Sequence, residues 1–146
     1  MRIVEIKLLI IFLYFLSGCE YHHHSNITNE SGSDVEVVVY FNRQVFEDAW
    51  GKDSYFPFLR SYNNEPPRVT LLDFDSINLI SHYRIQNKGF FSISHGLGGK
   101  IIVPTYEDFV SMTVISKVDT IKISTPQEFK NKFRPDGRNN FEWVIK

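Results

Sequence analysis

Short runs of β-branched and aromatic residues constrain the fold of this chain more than any other feature of its sequence. Such runs favour strands because branched and aromatic side chains fit the pleated surface of a half-buried sheet. Five segments have this composition: Val35–Phe41, Arg68–Leu72, Gly89–Pro104, Met112–Ser124 and Phe141–Ile145. Gly89–Pro104 and Met112–Ser124 each divide into two runs around a turn. Short strands joined by turns, without a regular alternation of strand and helix, predict an all-β fold, a small antiparallel sandwich.

Helical signals are confined to two short stretches. Thr125–Glu128 combines a capping threonine, a proline in the first helical position and a glutamate three residues after the threonine, which predicts one short helix that ends before Pro135. Gln44–Trp50 permits another short turn of helix. Neither stretch is long enough to form a layer, so the sandwich is expected to consist of sheets.

The first nineteen residues have the layout of an export signal. Arg2 and Lys7 form a basic start, and Leu8–Leu16 is an uninterrupted apolar run. Small residues then lead directly to Cys19, the only cysteine of the chain. Because the apolar run is too short to span a bilayer as a helix, we predict a signal peptide over residues 1–18.

Leu16-Ser17-Gly18-Cys19 resembles the lipobox of bacterial lipoproteins, in which the signal is cut before the cysteine and the cysteine sulfur carries a lipid. The resemblance implies a mature chain that begins at Cys19 and has membrane lipid as its partner. Two or more acyl chains anchor a protein stably, because each buried methylene contributes about 0.8 kcal/mol. The expected location is the bacterial cell envelope, on the outer membrane, with the periplasmic and surface faces both left open.

Ile27–Val35 carries a second resemblance. Its pattern, I-x-N-x-S-G-x-x-V, is similar to the opening strand and turn of small Bacteroidetes lipoproteins with an immunoglobulin-like sandwich. The resemblance implies an immunoglobulin-like β-sandwich domain over residues 34–146. Residues 19–33 are polar and have little apolar surface to bury, so we predict that they form a flexible, lipidated tether.

Composition and motifs give no reason to expect nucleic acid, a metal or a cofactor. The formal net charge is only −1, so no electrostatic attraction to nucleic acid is predicted. His22–His24 offers imidazoles, but three consecutive histidines cannot all face one ion on a regular element, and we interpret them as part of the tether. His95–Lys100 departs from the phosphate-loop pattern and favours a hairpin turn. Asp73–Asn78 departs from the calcium-loop pattern and is interpreted as a turn.

No constellation that would carry catalysis is recognisable. With Cys19 lipidated no free thiol remains, and the Gly-x-Ser-x-Gly motif of serine hydrolases is absent from the sequence. An envelope hydrolase would require His82 or His95 beside a carboxylate in a cleft, and the sequence does not place either histidine there. We therefore do not expect an enzyme.

Tyr40–Tyr62 is rich in aromatic residues interspersed with charged ones. Rings with polar edges stack on sugars or anchor protein partners, although a sandwich without disulfides also needs large side chains in its core. If this segment forms a ligand-binding surface, we expect Trp50, Tyr55 and Tyr62 to carry it.

The hypothesis that follows is a membrane-anchored envelope lipoprotein that acts as a binding or interaction module for a glycan or an envelope protein. The alternative is a structural or accessory subunit of an envelope assembly without a small-molecule ligand. A glycan binder requires Trp50, Tyr55 and Tyr62 to be exposed on one face. An assembly subunit requires an exposed apolar patch or a bare strand edge.

Overall fold

The computed structural model describes residues 21–52, 54–57, 59, 66–98, 104–136 and 140–146, with residues 21–23 and 94–98 described by their backbone. The strands of this part are β1 (Tyr21–Asn29), β2 (Val35–Phe41), β3 (Val69–Asp75), β4 (Ile80–Ile85), β5 (Phe90–Gly98), β6 (Phe109–Ile115), β7 (Thr120–Ile123), β8 (Arg134–Pro135) and β9 (Phe141–Ile145). Its helices are α1 (Arg43–Trp50) and α2 (Pro126–Lys132). The predictions for the signal peptide and for Cys19 lie outside the described residues.

The strands form two sheets, with the orders β5-β1-β9-β8 and β3-β4-β2-β6-β7. Neighbouring strands are antiparallel except β1 and β9, which run parallel. The prediction of a small all-β sandwich is confirmed. The structure forms the one predicted helix as α2 and also forms a helix, α1, over the Gln44–Trp50 stretch, so two short helices accompany the sheets in the described residues. In the described residues no helix has both the length and the apolar character needed to cross a membrane.

Alternating side chains of the strands form the core between the sheets. In β2, Val35, Val37 and Val39 are buried, whereas the residues between them are half-buried or exposed. In β9, Phe141 and Trp143 point inward in the same way. This period of two is the direct consequence of the pleat, and it gives each sheet one face toward the core.

Helix α2 closes one side of the sandwich with aromatic side chains. Phe129 and Phe133 are both buried, and the ring of Phe129 lies 5.3 Å from that of Tyr106. The predicted cap is confirmed, because the Thr125 side chain accepts a hydrogen bond from the backbone of Glu128 while the Glu128 carboxylate accepts one from the backbone of Thr125. The cap therefore fixes where the chain leaves β7 and turns across the core.

The prediction of a flexible tether over residues 19–33 is wrong for residues 21–29, because these form β1 between β5 and β9. The sandwich thus begins at Tyr21 rather than at residue 34. Ser25 fills an interior position of β1 because its hydroxyl has a partner: it shares a 3.3 Å hydrogen bond with the Tyr106 hydroxyl. Ile27 supplies the apolar contact.

The glycine-rich segment was also interpreted as a turn, and this is wrong for its first part. Gly96 and Gly98 lie within β5, where they pair with His23 and Tyr21 of β1. Glycine avoids a steric conflict in a strand as well as in a turn, so composition alone did not separate the two. The second predicted run of this segment falls on residues 99–103, outside the described part.

Two turns follow from side-chain hydrogen bonds. Asn29 closes the corner between β1 and β2, where its amide nitrogen donates to the carbonyls of Ser33 and Ile85. Asp75 begins the turn between β3 and β4 by accepting hydrogen bonds from the backbone and side chain of Asn78 and from the backbone of Ile77, and these bonds lower the pKa of its carboxyl group. The interpretation of Asp73–Asn78 as a turn is confirmed for Ser76–Asn78, whereas it is wrong for Asp73–Asp75, which extend β3 and pair with β4.

Candidate functional site

Of the three predicted aromatic residues, the structure describes Trp50 and Tyr55 and does not bring these two together on an exposed surface. Trp50, at the end of α1, is 54% exposed, but Tyr55 is fully buried. The ring of Tyr55 packs 4.8 Å from that of Phe56, and its hydroxyl accepts a hydrogen bond from Arg43. Because the hydroxyl has a partner inside the protein, the ring can be buried at little cost. Tyr62 lies outside the described residues.

His82 lies beside a carboxylate, as the hydrolase hypothesis required, but on the outer face of a sheet. Its Nε2 atom is 2.9 Å from Oε2 of Glu36, whose Oε1 is 3.4 Å from an Nη atom of Arg84. All three residues occupy outward positions of β2 and β4. These side chains are partly exposed and form a charged cluster on that face.

The histidines of β1 are placed by the pairing of the strands. His24 lies opposite His95 in β5, and His22 lies opposite Leu97. Among the residues whose side chains are described, no group of three or more histidine, cysteine or acidic residues is arranged to hold a metal ion.

A cavity of about 420 Å³ lies where α2 and the β8–β9 hairpin meet the four-stranded sheet. Its volume falls within the range of small-molecule sites in proteins. The residues that line it are Asn131, Lys132, Arg134, Pro135, Asp136, Glu142, Trp143 and Val144. Side chains of both charges and one indole therefore converge on a single space, which makes this cavity the candidate binding site.

Each charged wall of the cavity has a structural origin. Lys132 ends α2, and its Nζ atom lies 5.6 Å from the centre of the Trp143 ring. Arg134 lies in β8 directly opposite Glu142 in β9. The Glu142 carboxylate accepts a hydrogen bond from the hydroxyl of Thr28 on β1. The two-residue strand β8 thus holds a basic side chain beside an acidic one.

Arg134 is the most available charge of the cavity. Its side chain is exposed, and no hydrogen bond or ion pair joins its guanidinium to another described residue. Glu142, in contrast, already has a donor in Thr28. A guanidinium presents a planar fork of donors that matches a carboxylate or a phosphate.

A buried polar atom on β1 adds to the polar character of this sheet. Asn26 lies opposite Glu142 in β9 and opposite Ser92 in β5. Its Oδ1 atom is buried without a hydrogen-bond partner in the described part of the chain. Leaving such an acceptor unpaired costs about 1–3 kcal/mol.

The sequence did not reveal this cavity. Lys132, Arg134 and Glu142 look like solvated positions when they are considered one by one, since they alternate with apolar residues. The available signal was the Pro135-Asp136-Gly137 turn, which predicts a hairpin and so predicts that residues 131–136 face residues 142–144.

The chain matches no protein family, no curated protein and no solved structure.

Proposed function

We propose that this chain is a membrane-anchored lipoprotein of the bacterial cell envelope that acts as a binding module. The sequence supports the anchor through the apolar run that leads into Leu16-Ser17-Gly18-Cys19. The observation that carries the binding role is the cavity between α2 and the β8–β9 hairpin. A sandwich domain held at a membrane surface by lipid presents such a site to molecules of the envelope.

The chemistry of the cavity favours a small polar ligand with one acidic group. Arg134 and Lys132 supply positive charge, and the guanidinium of Arg134 has no partner among the described residues. Glu142 and Asn131 offer hydrogen-bond acceptors to hydroxyl groups. An acidic sugar combines these features, so the glycan hypothesis is transferred from the aromatic segment to this cavity.

Replacement of Cys19 tests the anchor. Cys19→Ser is expected to abolish labelling by a fatty-acid probe and to leave the precursor uncut, because the cysteine sulfur is the proposed site of lipid attachment. Labelling that persists in Cys19→Ser would contradict the lipoprotein proposal.

The indole N–H signal of Trp143 in an NMR spectrum reports on the cavity. Titration with glucuronate is expected to shift this signal, and titration with glucose is expected to shift it much less. Arg134→Gln should weaken the affinity for glucuronate, measured from this titration, at least tenfold, because a bidentate charged contact is lost. Arg84→Gln is the matched control, since Arg84 lies on the other sheet beside Glu36. Equal responses in both variants would show that the cavity does not recognise the acid.

Exposed apolar side chains favour the second candidate, an accessory subunit of an envelope assembly. Trp50, Ile77 and Val110 are all more than half exposed. Such residues are compatible with a partner surface. Co-purification of a stoichiometric envelope protein, lost in Trp50→Ser, would favour this role over that of a ligand-binding module.

A further inference from the structure

The direction of β1 determines which end of the sandwich lies next to Cys19. Asn29, at the end of β1, donates a hydrogen bond to the carbonyl of Ile85 at the end of β4. The two strands therefore end together, and strands of packed sheets keep similar directions. It follows that β1 begins at the end of the sandwich where β4 begins. We name this the proximal end, and the opposite one the distal end.

Three further elements form the proximal end. They are helix α1, the turn between β3 and β4, and the loop before β6. Arg43 of α1 donates a 2.7 Å hydrogen bond to the carbonyl of Ile77 in the turn. Asn42, just before α1, donates to the carbonyls of Glu107 and Asp108 in the loop. These hydrogen bonds make the proximal end one connected surface.

This surface carries three exposed apolar side chains, from α1, from the β3–β4 turn and from the start of β6. Trp50 is 54% exposed, Ile77 is 81% exposed, and Val110 at the start of β6 is 53% exposed. Tryptophan is enriched where an apolar phase meets water, because its ring is apolar and its N–H is polar. Acidic residues Glu47 and Asp48 lie on the same helix, so attraction of this end to anionic lipid is not expected.

The spacing along the chain leaves little distance between this end and the anchor. From Asn29 to Tyr21, β1 spans about 27 Å, whereas β4 spans about 17 Å from Ile85 to Ile80. The β3–β4 turn precedes Ile80, and Arg43 joins α1 to this turn, so both elements lie toward the end that the first ~10 Å of β1 reach. Cys19 is only two residues from Tyr21, a reach of at most ~7 Å.

We propose that the proximal end docks on the leaflet that holds the lipid anchor, with Trp50, Ile77 and Val110 inserted into the interfacial region of the bilayer. The proposal rests on the lipidation of Cys19 in the proposed function. The short connection brings the surface to the bilayer, and the exposed apolar side chains give it a reason to stay there. The domain then stands on the membrane in one orientation, with the β6–β7 turn at the distal end pointing away.

The two tryptophans of the chain supply a test with an internal control. Trp50 lies at the proximal end and Trp143 is buried in the core. The full, lipidated protein is reconstituted into phosphatidylcholine vesicles with and without brominated acyl chains, which quench tryptophan only on contact. Trp143→Phe leaves Trp50 as the reporter, and Trp50→Phe leaves Trp143. If Trp143→Phe does not fold, the difference in quenching between the wild type and Trp50→Phe gives the quenching of Trp50.

Brominated lipid is expected to quench Trp50 several-fold more than Trp143, at high salt as at low salt. Ile77→Asp should reduce the quenching of Trp50, because a charge is placed in the interface. Val118→Asp is the matched control, since Val118 is 85% exposed but lies in the β6–β7 turn. The reduction should be absent in this control.

Other outcomes separate the inference from the proposed function. A lipidated, vesicle-bound protein whose Trp50 is unquenched by brominated lipid and open to acrylamide would overturn the docking proposal and leave the anchor intact. Trp50 shielded from acrylamide but unquenched by brominated lipid would indicate a protein on this surface and would also overturn it. Absence of fatty-acid labelling and of vesicle binding would reject the anchor itself.

Discussion

Asn29 shows how one side chain can hold a corner of the fold. Its amide nitrogen donates to two backbone carbonyls, at 2.7 Å to Ser33 and at 2.9 Å to Ile85, and its Oδ1 accepts from the backbone and the hydroxyl of Ser31. The I-x-N-x-S-G-x-x-V pattern of Ile27–Val35 therefore has a physical meaning. The asparagine and serine form the hydrogen bonds, and Gly32, directly after the serine, adopts a φ of 79°, where a side chain would be strained.

Asn29→Ala is expected to lower the free energy of unfolding by about 2–4 kcal/mol, because two backbone carbonyls at the corner lose their donor. Urea denaturation measures this change. Asn42→Ala is the control: its amide makes one exposed hydrogen bond, and a loss below about 1 kcal/mol is expected. Similar losses in the two variants would show that the corner does not depend on Asn29.

The buried hydroxyl of Tyr106 is expected to make the free energy of unfolding depend on pH in the alkaline range. Burial raises the pKa of its hydroxyl to about 12, whereas an unfolded tyrosine ionises near pH 10. Between these values the native state holds a proton that the unfolded state has lost, so the free energy of unfolding falls as the pH rises from about 10 to 12. Tyr106→Phe should make this fall shallower in urea denaturation at pH 8, 10 and 11. A slope in Tyr106→Phe as steep as that of the wild type would contradict this prediction.

At the scale of single residues, the sequence shows where aromatic side chains are concentrated, but it does not show which of them are exposed. Tyr55 and Trp50 lie five positions apart in one aromatic segment, yet one is fully buried and the other is mostly exposed. The difference arises from Arg43, which satisfies the Tyr55 hydroxyl and thereby allows the ring into the core. Such a partner can be identified only after the helix and the loop have been placed relative to each other.

Among the elements, α2 depends most directly on a local signal. Thr125→Ala is expected to lower the free energy of unfolding by about 1 kcal/mol, because the first turn loses a side-chain cap. Thr120→Ala, at an exposed position in β7, controls for the loss of a threonine. Thermal and urea denaturation measure both, and a loss in Thr120→Ala as large as in Thr125→Ala would contradict a specific role for the cap.

The strands that the sequence predicted are those with apolar and branched residues. Val35–Phe41 and Phe141–Ile145 are found with the predicted bounds, and Arg68–Leu72 is found as β3, starting one residue later and extending to Asp75. Composition did not indicate β1 or β4, because their outward positions carry histidine, asparagine and arginine, and only the resemblance of Ile27–Val35 to an opening strand pointed to the end of β1. Their pairing is determined by neighbouring strands that are distant in the sequence, and composition does not contain that information.

For the whole molecule, the sandwich fold was predictable from the sequence, but the pairing of its first strand with its last strand was not. The parallel pairing of β1 with β9 brings the two ends of the described chain into one sheet, with Ser25 opposite Phe141. This pairing moves the domain boundary to Tyr21 and removes most of the predicted tether. The proposed orientation of the domain at a membrane therefore depends on the topology, because it follows from the direction of β1.

The length of the connection to Cys19 is expected to control that orientation. Insertion of eight Gly/Ser residues after Glu20 adds a reach of up to ~27 Å, so the proximal end is no longer held beside the lipid. Fatty-acid labelling should be unchanged, while the quenching of Trp50 by brominated lipid should fall toward that of Trp143, because the local concentration of bilayer around the surface decreases. The same insertion in the β6–β7 turn, at the distal end, should leave the quenching unaltered. Unchanged quenching after the insertion at Glu20 would show that the apolar side chains hold the surface on the bilayer without help from the short connection.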